Sequence, residues 1–177
     1  MHRFVTGLIA LATVAAPLGA QAPAATSMKQ LDWIVGRWTG AGTMATGPGQ
    51  RHNASVVETA TLHAGGHVLV LQGLGKVKVE GKSEEMVVHD AFATIWHDST
   101  GFRMQTFRSN GEVLRPEISV ADRKVVWGFQ DPRAGRIRFT VTLTEDGEWH
   151  EVGDASRDNG ANWMRFFEMK LRRAGGA

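Results

Sequence analysis

The feature that most constrains this chain is its punctuation. Turn-forming clusters recur at short, even intervals: Gly47-Pro48-Gly49, Gly65-Gly66, Asp98-Ser99-Thr100-Gly101, Asn110-Gly111, Asp146-Gly147 and Asn159-Gly160. The segments between them are short and alternate apolar with polar residues, as strands with one buried face do. Asn-Gly and Asp-Gly are the preferred two-residue hairpin loops, so most neighbours in sequence are expected to pair. This spacing predicts ten strands, near 37–44, 51–62, 67–77, 84–97, 102–109, 112–120, 124–130, 136–144, 148–156 and 162–172. An even meander favours an all-β, antiparallel up-and-down barrel over a sandwich, whose Greek-key crossings need longer connections. Closure also removes the exposed edges that an open sheet would leave.

The ends of the chain read differently. Residues 1–20 have the form of a secretory signal peptide: His2 and Arg3, then an apolar run from Phe4 to Pro17, then small residues. Residues 21–26 read as a linker, 27–173 as the barrel domain and 174–177 as a tail. Export to a bacterial periplasm is the expectation, and the mature chain has no stretch that reads as a membrane span. The absence of cysteine excludes disulfides, thiolate metal sites and cysteine nucleophiles, and suits an oxidising compartment. Net charge is +2, with basic residues scattered rather than interleaved with aromatics, so nucleic acid is not an expected partner. Hydrophobic residues make up 42 % of the chain, enough for a core.

Before the meander, Ser27 and Gln30 have the spacing of a helix capping box, and Met28, Leu31, Ile34 and Val35 fall at helical intervals. A short helix over 27–35 is expected to cap one end of the barrel, ending at Gly36. It leads into Gly36-Arg37-Trp38-Thr39-Gly40-Ala41-Gly42, a Gly-x-Trp-x-Gly-x-Gly start. This start resembles the opening of calycin-like barrels, lipocalin-like and nitrobindin-like, and above all secreted bacterial members of unknown function. His97-Asp98-Ser99-Thr100-Gly101-Phe102, Val126-Trp127-Gly128-Phe129 and Trp163-Met164-Arg165-Phe166-Phe167-Glu168-Met169 extend the likeness over about residues 27–173. The resemblance implies a barrel closed by Gly36, Trp38, Gly40 and Gly42, with Trp38 packing beneath the interior.

Nitrobindin-like barrels hold heme through a histidine on the last strand. Here Asn162–Arg172 carries none, so no cofactor is expected unless His150, on the penultimate strand, faces inward and serves heme instead. Arg165 is the residue that the alternation places among Trp163, Phe167 and Met169, where a charge needs a partner. Two registers of the last hairpins offer one. With tight two-residue loops, Asp154 pairs with Arg165 and His150 faces inward. With glycine bulges, Trp149 and Glu151 face inward and Glu151 is the acid. Glu58 shares a face with Val56, Ala60 and Leu62 and is a second candidate for an inward polar group. Small inward residues, Gly73, Ala91 and Ala93, favour a cavity.

No nucleophile motif, zinc-protease motif or phosphate loop is present. His63 and His67 flank a hairpin, too few ligands for a specific metal site. The expectation is therefore a secreted binding protein that holds a small, largely apolar molecule in its barrel without catalysis. Its candidate lining is Arg165, Glu151, Asp154, His150, Glu58, Trp163 and Phe167. The alternatives are heme binding, or a small isomerase or cyclase using His150 or Glu58 with Arg165.

Overall fold

The computed structural model describes residues 27–47, 49–79, 81 and 83–175; the expected signal peptide and linker lie outside them. The chain is an antiparallel up-and-down sheet of eleven strands, curled into a half-barrel. The strands are β1 (Gly36–Gly47), β2 (Gln50–His63), β3 (Val68–Lys78), β4 (Glu85–Asp98), β5 (Gly101–Arg108), β6 (Val113–Leu114), β7 (Glu117–Ala121), β8 (Lys124–Asp131), β9 (Gly135–Leu143), β10 (Trp149–Ser156) and β11 (Met164–Arg173). They lie in the order β6-β5-β4-β3-β2-β1-β11-β10-β9-β8-β7, so the first and last strands meet at the centre of the sheet. Ten strands were expected. The extra one arises at Pro116, which lacks the N–H a ladder needs and splits the expected 112–120 strand into β6 and β7.

The expected helix is instead a 3-10 turn, Lys29–Ile34, with no side-chain cap from Ser27. One short turn closes too few hydrogen bonds to hold an α-helix alone, so packing decides its form. Met28, Leu31 and Ile34 are buried against the sheet beside Trp38, Leu69, Trp149 and Leu171. Trp38 donates its indole N–H to the Ile34 carbonyl at 2.8 Å and meets Trp149 edge-on, ring centres 5.8 Å apart.

Arg173, the last residue of β11, locks this end. Its guanidinium donates to the carbonyls of Val35 (2.5 Å) and Trp33 (2.7 Å) and lies 4.3 Å over the Trp38 ring. The last carbonyls of a helical turn have no internal partner, and a cation suits them. Gly36 makes the arrangement possible. Its φ of +134° disfavours a side chain, and a Cβ there would sit 2.6 Å from Arg173 Nη1.

Register then sorts residues by face. The face covered by the turn carries Trp38, Gly42, Val56, Glu58, Leu71, Gly73, Ala91, Ala93, Met104, Thr106, Trp127, Phe139, Trp149, Glu151, Met169 and Leu171, as cross-strand partners in consecutive pairs. We call it the inner face.

Candidate functional site

The inner face has two ends of different character. Around the 3-10 turn it is packed: Trp38, Ala60, Leu69 and Leu171 are fully buried. Away from the turn its side chains are only half-buried, among them Ala91, Ala93, Trp127, Phe129 and Phe139. One wall of that open end, on β2 to β4, is small: Ala54, Gly73, Gly75, Ala91 and Ala93. The other, on β8 to β11, is aromatic. Trp127 stacks on Phe139 at 4.2 Å and on Phe129 at 6.3 Å, and Phe139 meets Phe166 and Phe167 edge-on. Gly153 belongs to the aromatic wall, because a Cβ there would come within 3.0 Å of Phe139, Phe166 and Phe167.

Two carboxyl groups occupy this face. Glu151 on β10 is 8 % exposed and accepts a hydrogen bond from the Trp149 indole N–H at 3.3 Å. Glu58 on β2 lies beside Trp38 and fills the space that Gly73 leaves, its Oε1 2.5 Å from where a Cβ would stand. Neither forms an ion pair with any described residue. Burial, with added repulsion from Glu151, pushes Glu58 up to about 9. Burial pushes Glu151 up to about 7, opposed by the hydrogen bond from Trp149. At neutral pH Glu58 is therefore a protonated acid that can donate a hydrogen bond.

Toward the open rim stand two further polar groups, His89 and Arg108. His89 reaches water yet is walled by protein, and burial and the Arg108 cation lower its pKa. Arg108 pairs with Glu112 at 2.7 Å and reaches across to Phe129, 5.5 Å from its ring centre. Both were missed in the sequence, although His89 has the same parity as Ala91 and Ala93.

The expected lining divides accordingly. Glu58, Glu151 and Phe167 are on the inner face. Arg165 is not: it is exposed, on the outer face, and pairs with Asp154 at 3.1 Å. The reason is a β-bulge. Gly153 pairs with Phe167 but Asp154 pairs with Arg165, so Phe166 is an extra residue that inverts the strand before it. Asp154 is buried yet faces outward, shared between Arg165 and Arg138. Trp163 lies outside as well, beneath the Arg138 guanidinium.

His150 also faces outward, its Nε2 2.9 Å from Glu168. The Asp146-Gly147 turn takes one residue more than a two-residue loop, so Leu143 pairs with Trp149 rather than with His150. The last loop spans 157–163 and is pinned by Asp158, which accepts from Ser156 and from both nitrogens of Asn162. The observed register thus mixes the two expected ones. Trp149 and Glu151 face inward, and Asp154 pairs with Arg165.

Neither a family model nor a curated protein matches the chain. Among solved structures, Rv2717c from M. tuberculosis is similar, with a TM-score of 0.59 and 14 % identity over 84 % of this chain and 98 % of that one. At that identity the likeness shows the fold alone. Among the described residues no helix is long and apolar enough to cross a membrane, and no three His, Asp or Glu side chains are grouped to hold a metal.

Proposed function

We propose that this chain is a calycin-like, exported binding protein that holds a small, largely apolar molecule on its concave inner face. One observation carries the reading: a wall of small residues stands opposite a wall of stacked aromatics, with Glu58 and Glu151 between them and no cation to neutralise either. A binding site of this type is mostly apolar with a few converging polar groups. The ligand body lies against Trp127, Phe139 and Phe167, and its polar end meets the two carboxyls. The interlock of Gly36, Trp38 and Arg173 supports the calycin-like assignment, because it ties the Gly-x-Trp opening to the last strand.

Titration with N-phenyl-1-naphthylamine, a neutral fluorescent probe, tests this. Fluorescence should rise and saturate, and Ala91→Phe should weaken binding about tenfold by filling the space above the small wall, with the circular dichroism spectrum unchanged. No saturable signal, or an Ala91→Phe variant that binds equally well, would sink the proposal.

The alternatives are weakened by geometry. His150 is on the outer face, paired with Glu168, and cannot serve an interior iron. Arg165 is also outside, so an isomerase that pairs it with His150 or Glu58 lacks its anion-stabilising group on the inner face. Hemin titration without a Soret shift would eliminate the heme alternative.

A further inference from the structure

A second concavity, of about 600 Å³, lies on the outer face over β7, β8 and β9. Its floor is backbone, at Gly128. The cross-strand row through that glycine runs Glu117, Gly128, Arg138, Asp154, Arg165. A Cβ at Gly128 would stand 2.5 Å from the Ile137 carbonyl oxygen, so no side chain separates the flanking ones. Arg115, Arg136 and Arg138 line the groove, with Ser119, Gln130 and Trp163.

The charges here do not balance. Asp154 divides its carboxylate between Arg165 at 3.1 Å and Arg138 at 3.4 Å. Among the described residues Arg115 and Arg136 meet no carboxylate; Arg136 donates only to the Asn159 carbonyl, at 3.3 Å. Glu117 is the single acid in the lining. Within the lining, Arg115, Arg136 and Arg138 thus face one acid, Glu117. The Arg138 guanidinium lies 4.0 Å over the Trp163 ring, with its Nε buried and without a hydrogen-bond partner. Trp163 is fixed in turn by its N–H bond to the Gly160 carbonyl at 3.0 Å. With Nη2 on Asp154 and Nε buried, Nη1 is the Arg138 group left to meet an oxyanion, beside the guanidinium groups of Arg115 and Arg136.

We propose that this groove binds the doubly charged oxyanion of a phosphomonoester, held by Arg115, Arg136 and Arg138, with the ester group lying along Trp163. The excess of two positive charges matches a dianion better than a carboxylate. The flat apolar flank suits an organic ester better than free phosphate. This site faces away from the inner wall and does not depend on what that wall binds.

The test is nuclear magnetic resonance titration of the protein with phenyl phosphate, benzoate and inorganic phosphate, following the Gly128 amide and the Trp163 indole N–H. Phenyl phosphate should shift both signals and bind about tenfold more tightly than benzoate or inorganic phosphate. The double variant Arg115→Gln/Arg136→Gln should weaken phenyl phosphate about tenfold or more, with an unchanged melting curve, because both side chains are exposed. Arg172→Gln, on the exposed face of β11 and paired with Glu148, should leave binding unchanged. The proposal is overturned by an absence of shifts, by benzoate or inorganic phosphate binding as tightly, by the double variant binding like wild type, or by Arg172→Gln weakening binding equally.

Discussion

His150 and Glu151 are neighbours on β10 and meet opposite fates. His150 faces out and pairs with Glu168, whose pKa is lowered chiefly by that hydrogen bond. Glu151 faces in, finds only the Trp149 N–H, and has its pKa raised by burial. The contrast extends across the sheet. Three carboxylates outside the inner face are partnered: Asp98 by Thr100 and Arg103, Asp158 by Ser156 and Asn162, and Asp154 by two arginines. Among the described residues the inner pair, Glu58 and Glu151, has no ion pair and one hydrogen bond, from Trp149 to Glu151. A sheet one strand thick thus separates a solvated, ion-paired surface from a medium in which carboxyl groups keep their protons. Unpaired buried acids cost stability, and their presence on a wall built of small and aromatic residues is what the proposed binding role would account for.

Four experiments sharpen or break this contrast. The largest effect should come from the packed end of the inner face. Trp38→Ala removes a fully buried ring that touches Trp149, Arg173 and the 3-10 turn. It should cost about 3–5 kcal/mol by urea denaturation; a loss below about 1 kcal/mol would mean that the turn-covered end is not the core.

The second experiment varies pH. Glu58 and Glu151, ordinarily near 4.5, keep their protons in the folded state up to about 9 and about 7. Between those limits the folded form binds more protons than the unfolded one, so stability falls as pH rises. Glu168 acts in reverse: its contribution is present above its ordinary value and is lost as pH falls through the lowered one. The melting temperature should therefore drop between pH 5 and 9, and Glu58→Gln/Glu151→Gln should flatten that slope. A double variant with the wild-type slope would show that the inner acids are not the titrating groups.

Smaller effects belong to the outer face. Asp154→Asn leaves two guanidinium groups without their carboxylate, but both remain open to water. Chemical denaturation should record a loss of about 1–2 kcal/mol. Arg165→Met should change stability by less than about 1 kcal/mol and leave probe binding on the inner face untouched. A large effect of Arg165→Met on probe binding would place that residue back inside.

The meander was legible because its causes are local. Glycine and asparagine at turns, and apolar–polar alternation within segments such as Ile137, Phe139, Val141 and Leu143, act over a few residues. The inward facing of Glu58 was legible from Val56 and Ala60, which share its parity. His89 carried the same signal through Ala91 and Ala93. Arg173 carried it through Phe167, Met169 and Leu171, at the strand end where it stacks on Trp38. Arg165 misled because the alternation was continued through Phe166, where the ladder skips a residue.

By itself, the sequence determined an all-β meander, its hairpin order and the apolar end that the segment before Gly36 covers. Turn chemistry and period-two patterning suffice for those. The tertiary structure alone decided the face of Arg165 and His150, the pairing of Asp154 with two arginines, and the meeting of Glu58 and Glu151 from strands that are distant in sequence. Each depends on register, and one extra residue, at the Asp146-Gly147 turn or at Phe166, changes a face without altering any local preference.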